Sequence, residues 1–276
     1  MLPNLIVIGA ERCGTSSLHR YLRSHPQVFM SKKKELNFFV AEREWRRGRC
    51  WYERQFPTDA PVRGESSPAY TAYPVFSGVP ARLAALVPDA QLVYLVRDPV
   101  ERTISAIHLA RALGIDQRPA AEALSDLDKS PYVAQSRYAT QLEQYIAHFP
   151  AEAIAVVDSA ELRSRPVETM RRIFRFLEVD ENFWSPVMEL ERNTARRRRR
   201  NLAGRALWGI GWRTVGTRRS RQVLRHSPAW AGRPFTSPLP PTVLSPDLRS
   251  RLESTLAEDA ARFRALTGIR FESWCV

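Results

Sequence analysis

Residues 5–24 leave this chain few folds to choose from. Leu5-Ile6-Val7-Ile8 is a short apolar run rich in β-branched residues, the composition of a strand covered on both faces. Gly9 ends it, a polar turn follows, and Gly14 stands where main chain must come close to something. Thr15-Ser16-Ser17 then opens a helix with Leu18, Tyr21 and Leu22 on its apolar side, stopping before His25-Pro26. Such a strand, glycine turn and hydroxyl-rich helix start present main-chain N–H groups and the positive end of a helix dipole to an anion. Two readings stay open here: a phosphate site, or an ordinary turn in which Ser and Thr serve as caps. The spacing Gly9-x-x-x-x-Gly14 matches the first half of a nucleotide-binding loop, yet Thr15 occupies the position that motif gives to Lys. The loop's cation is instead Arg12.

A second constellation follows the strongest strand pattern in the chain, Gln91-Leu92-Val93-Tyr94-Leu95-Val96. Arg97 ends that strand, Asp98-Pro99 begins a helix running to about Leu113, and Ser105 lies about two turns along it. A cation and a hydroxyl so placed can grip one phosphate, at the edge of a parallel sheet where ligands bind. Equally, Arg97 can pair with Asp98 or Glu101 as a capping network. Asp98 also resembles a magnesium-holding aspartate, against which stand the adjacent Arg97 and the missing loop Lys.

Further strands are expected at Val62-Arg63-Gly64-Glu65 and Ala153-Ile154-Ala155-Val156-Val157, with helices over 76–87, 134–148, 166–178 and 246–266. Strands alternating with helices predict an α/β fold with a mostly parallel sheet and helices on both faces. Its 276 residues suffice for one such domain, with the core sheet within about 1–185 and a closing helix over 246–266. Between them, about 190–245 reads as Arg- and Pro-rich loop and short helix. Thirteen arginines against one acid, Glu191, fall within 190–233, so twelve of the thirteen net positive charges sit there. That block implies an anionic partner or a solvated arm.

Cys13, Cys50 and Cys275 are odd in number and widely spaced, which argues against a disulfide framework or a zinc site. No basic leader, signal-like run or membrane-length apolar run occurs, so a cytoplasmic, reduced protein is expected.

The loop Gly9 to Ser17, the stretch Arg97 to Ser105 and the block Lys34-Glu35-Leu36-Asn37-Phe38-Phe39 together resemble the sulfotransferase family, in particular bacterial members and the heparan-sulfate sulfotransferases. Glu65 to Tyr70, Ser136-Arg137-Tyr138 and the closing Ala265 to Trp274 also look like family features. The resemblance implies a P-loop NTPase-like sheet and a metal-independent enzyme that uses 3′-phosphoadenosine 5′-phosphosulfate (PAPS) and releases 3′-phosphoadenosine 5′-phosphate (PAP). Carried over by position, Arg12, Cys13, Gly14, Thr15, Ser16 and Ser17 form the 5′-phosphosulfate loop, with Arg12 neutralising the leaving phosphate. Arg97 and Ser105 hold the 3′-phosphate. Arg196 or Arg197 reaches the adenosine phosphates. Glu35 falls where glycan sulfotransferases place a catalytic carboxylate; read from its neighbours alone, it is a surface acid balancing Lys32, Lys33 and Lys34. Arg12 replaces the usual Lys, which changes reach and donor geometry. Asn37 replaces a His of some relatives.

The acceptor pocket is expected from 32–56, 66–75 and parts of 108–138 and 190–240, with Asn37, Phe38, Ser67 and Tyr70 as contacts. The acceptor implied is a small molecule, glycan or glycolipid; a lipid or secondary metabolite is the alternative. A P-loop kinase and an Arg-rich nucleic-acid-binding protein are the competing classes, though no nucleic-acid partner is expected. Segment 190–233, with Trp208 and Trp212, can also lie on an anionic membrane.

Overall fold

The computed structural model describes residues 1–189, 198–200 and 236–276. Five parallel strands form one sheet: β1 (Leu5–Gly9), β2 (Val28–Met30), β3 (Val62–Ser66), β4 (Gln91–Val96) and β5 (Ile154–Asp158), in the order β2-β3-β1-β4-β5. Every residue of β1 is buried, as its unbroken apolar run requires. The helices are α1 (Thr15–Ser24), α2 (Gly48–Glu53), α3 (Val79–Leu86), α4 (Pro99–Leu113), α5 (Ala120–Ala123), α6 (Pro131–Ala134), α7 (Tyr138–Ile146), α8 (Ser159–Ser164), α9 (Pro166–Phe176) and α10 (Pro246–Thr267). A short antiparallel ribbon pairs β6 (Arg198–Arg200) with β7 (Thr236–Pro238).

From β1 the chain steps outward past β3 to β2. It then returns through β3 and crosses to β4 and β5 on the other side. With right-handed crossovers, this reversal puts α1 on one face of the sheet and the later connections on the other. Loops leaving β1 and β4 therefore diverge, and the crevice between their carboxyl ends is the sheet's switch point.

Gly9 is a packing requirement: a Cβ there would lie 2.0 Å from Thr71 Oγ1. Helix α1 spans the expected residues. The helix expected over 76–87 is shorter, because Gly78 at φ +66° and Pro80 define its start. The helix expected over 134–148 is shorter, α7 over Tyr138–Ile146, with α6 ending before it at Ala134. Asp259, from α10, accepts the main-chain N–H groups of Ala139 and Thr140 at 2.9 and 3.0 Å, a cap supplied from 119 residues away. The chain groups into two compact units, 1–103 with 126–193 and 245–276, and 104–125 with 194–244. No helix among the described residues is long and apolar enough to cross a membrane.

Candidate functional site

The crevice between β1 and β4 brings the two sequence-predicted corners together. Gly9 is registered with Tyr94, and the Ala10 N–H donates to the Leu95 carbonyl at 2.6 Å. After β1 the chain turns through Arg12 at φ +72° and Gly14 at φ +96°, both left-handed. Glycine adopts that region freely and arginine does so at a cost of about 1–2 kcal/mol. Helix α1 starts at once, with no acid in its first turn and no side-chain cap. Thr15 and Ser16 occupy the turn in which helix N–H groups lack an intrahelical acceptor; Thr15 is buried, Ser16 exposed and Ser17 half-buried.

Burial lowers the Arg12 guanidinium from its ordinary value. The positive charges of Arg97 and Arg102 add to this, and Glu11 opposes it. Such crowding of cations favours an anion among them. Arg97 follows β4 and meets the Glu101 carboxylate at 3.4 Å; Glu101 also meets Arg249 at 3.1 Å. Both Asp98 oxygens are engaged by main-chain donors: one accepts the Glu101 N–H at 2.8 Å, the other the Cys275 N–H at 2.6 Å. Asp98 is the cap of α4. Among the described residues no group of three or more His, Cys, Asp or Glu side chains is placed to hold a metal ion. Ser105 lies further along α4, half-buried, in the second compact unit.

Cys13 differs from its expected part in the loop. Its side chain is 1% exposed, lies 3.5 Å from the Tyr138 hydroxyl, and burial pushes its thiol up to about 11. Its N–H is engaged by the Ala10 carbonyl. Cys13 thus closes the turn, and its thiol is no nucleophile.

Beside β1, the exit of β3 carries the Glu35 loop. The Glu35 N–H donates to the Ser66 carbonyl at 2.9 Å, and the Asn37 N–H to Ser67 Oγ at 2.9 Å. The Phe39 N–H points to the Tyr70 hydroxyl at 3.4 Å. Glu35 and Asn37 both have left-handed backbones, φ +62° and +53°. The Glu35 carboxylate is 55% exposed and pairs with Lys34 at 2.8 Å, so Lys34 is its balancing cation; Lys33 pairs with Glu44. Asn37 Oδ1 is buried without a hydrogen-bond partner, while its Nδ2 donates to the Glu35 carbonyl.

Phe38, Ser67 and Tyr70 were expected to contact the acceptor. All three side chains are buried instead. Phe38 stacks on Tyr52 at 4.2 Å, and the Ser67 and Tyr70 hydroxyls turn inward to Glu65. They support the Glu35 loop from beneath, because an apolar ring and two hydroxyls with inward partners gain more from the core than from solvent. Arg196 and Arg197, and most of 190–233, lie outside the described residues.

Three neighbours carry no role in the sequence reading. Glu65 is 0% exposed within β3; an acid in a strand otherwise patterned for burial was the signal. Arg102 is 1% exposed and donates to the carbonyls of Glu11 and Tyr132 and to Gln135 Oε1 at 3.1, 3.0 and 2.8 Å, tying the Arg12 loop to α6. His19, on α1, lies 3.0 Å from Ser66 Oγ; no local pattern marks that pairing across 47 residues.

A sulfotransferase domain model matches residues 2–199. The chain is similar to heparan sulfate glucosamine 3-O-sulfotransferase 3A1 of Mus musculus, 32% identical over 186 residues, which covers 64% of this chain and 46% of the mouse protein. It is also similar to bifunctional heparan sulfate N-deacetylase/N-sulfotransferase 1 of Caenorhabditis briggsae, 27% identical over 201 residues, 65% of this chain and 23% of that one. It thus spans less than half the length of these curated relatives. A crystal structure of a sulfotransferase from Alicyclobacillus acidocaldarius has a TM-score of 0.71 at 25% identity, covering 99% of both chains. A mouse sulfotransferase solved with PAP shares the fold, at TM-score 0.54 and 12% identity over 96% of this chain and 88% of that one.

Proposed function

Because the chain belongs to the sulfotransferase family, we propose that it moves a sulfuryl group from PAPS to an acceptor hydroxyl, the acceptor being a carbohydrate or glycoconjugate. One observation carries the reading: Arg12 and Arg97 stand on the loops that leave two adjacent strands at the switch point of the sheet, where the Ala10 N–H bonds the Leu95 carbonyl and the charge of Arg97 acts on the Arg12 guanidinium. The residues fit a doubly phosphorylated nucleotide, since two cations and an acid-free helix start face one crevice. The heparan-sulfate relatives support a glycan acceptor.

In this reading Gly14, Thr15, Ser16 and Ser17 supply donors to the 5′-phosphosulfate, and Arg97 holds the 3′-phosphate. Bound PAPS contributes the sulfuryl group and a phosphate leaving group. Arg12 neutralises charge that grows on the bridging oxygen, which is where preorganised donors help most in an in-line displacement. Glu35, exposed beside Lys34, takes the proton from the acceptor hydroxyl. The Arg-rich segment 190–233, including Arg196 and Arg197, covers the polyanionic nucleotide or steers an anionic acceptor.

Calorimetric titration with PAP in the absence of magnesium, followed by transfer from radiolabelled PAPS to heparan-type oligosaccharides, tests this. PAP binding and label on the glycan are expected. Magnesium-dependent ATP binding with none for PAP would overturn the reading, and label passing only to a lipid would move the acceptor class.

A further inference from the structure

We propose that Glu65 is a positioning residue for the reaction: its buried carboxylate fixes the backbone that carries Glu35. This rests on the reading of Glu35 as the base. Glu65 is fully buried, and among the described residues no salt bridge places a cation against it, yet it receives three hydroxyl donors. Tyr52 and Tyr70 donate to Oε1 at 2.6 and 2.7 Å, and Ser67 donates to Oε2 at 2.6 Å.

The polarity of these bonds matters. A hydroxyl has one proton, so a hydroxyl that donates to Glu65 turns its lone pairs elsewhere. Ser67 and Tyr70 turn theirs to the main-chain N–H groups of Asn37 and Phe39. Glu65 therefore aligns two relays, each running from loop N–H through a hydroxyl to the carboxylate. Together with the Ser66 carbonyl on Glu35, three N–H groups of the segment 35–39 are held by residues 65–70. A loop that keeps two non-glycine residues at positive φ needs such over-determination. Burying an acid without a cation is expensive, and an apolar residue there would be less so. What the carboxylate provides in return is the direction of the hydroxyls.

The test uses the full chain and compares Glu65→Gln, Ser67→Ala and Tyr70→Phe with Glu35→Gln. The amide of Glu65→Gln puts a donor among donors; the other two each remove one relay. Each of the three is expected to lower kcat by on the order of tenfold to a hundredfold, with the PAP dissociation constant held within about twofold. Asp259→Asn, which perturbs the α7 cap, serves as the stability control: its melting temperature falls while kcat holds. Should Glu65→Gln fail to fold, Ser67→Ala and Tyr70→Phe decide. Wild-type kcat in those two, alongside loss in Glu35→Gln, overturns the inference alone. Wild-type kcat in Glu35→Gln removes the base reading on which it rests.

Discussion

Arg12, Glu35 and Asn37 share one property: a left-handed backbone without glycine. Each costs on the order of 1 kcal/mol, and such residues gather where function over-determines the chain. Replacing Glu35 by Gln keeps size and neighbours but removes the proton acceptor. Turnover should fall by about a hundredfold or more, with the PAP dissociation constant unchanged by calorimetry. Arg97 allows a second prediction. Glu101 bridges Arg97 and Arg249, and so competes with any phosphate for Arg97. Glu101→Gln should tighten PAP binding by roughly two- to fivefold, the range for a partly exposed ion pair. Unchanged or weaker binding would show that Glu101 aids Arg97 rather than competing for it.

At the scale of elements, tertiary partners set boundaries that local pattern blurs. The 134–148 stretch reads as one helix because Leu142, Tyr145 and Ile146 keep helical spacing. The break before α7 comes from Asp259 on another helix. Asp259→Ala should cost about 1–2 kcal/mol in chemical denaturation, as lost caps do. Arg102 links three segments that sequence leaves unrelated. Arg102→Met takes a donor from the Glu11 and Tyr132 carbonyls and from the Gln135 amide oxygen. A loss of about 2–4 kcal/mol is expected, with weaker PAP binding because Glu11 belongs to the Arg12 loop. A variant that binds PAP as the wild type does would confine Arg102 to stability.

For the whole molecule, pH ties the site to folding. Burial, with Lys34 and Arg23 nearby, holds His19 neutral and lowers it from 6.5 to about 4. The unfolded chain takes up that proton near its ordinary value of 6.5. Stability from this group is therefore complete above pH 6.5 and is lost progressively as pH falls toward 4. His19→Gln should show a shallower fall in melting temperature across that window than the wild type; parallel curves would exclude His19 as the source.

Much of this was legible in advance. β1, its glycine turn, α1, β4 and α4 follow from local pattern, since apolar period, glycine and helix starts act over a few residues. The two phosphate corners were therefore readable as motifs, and Glu35 through the family resemblance. Their adjacency was not, because β1 and β4 are joined by sheet order, which no local signal encodes. Phe38, Ser67 and Tyr70 looked like pocket residues because chemistry-bearing side chains near a motif invite that reading. Only packing reveals that Phe38 stacks on Tyr52 while Ser67 and Tyr70 turn to Glu65. The sequence by itself determined which segments are strands and helices and which loops carry charge, because those depend on neighbours along the chain. The tertiary structure alone decided which cations share a crevice and which polar groups lie beneath it, because burial and long-range hydrogen bonds exist only once the sheet has closed.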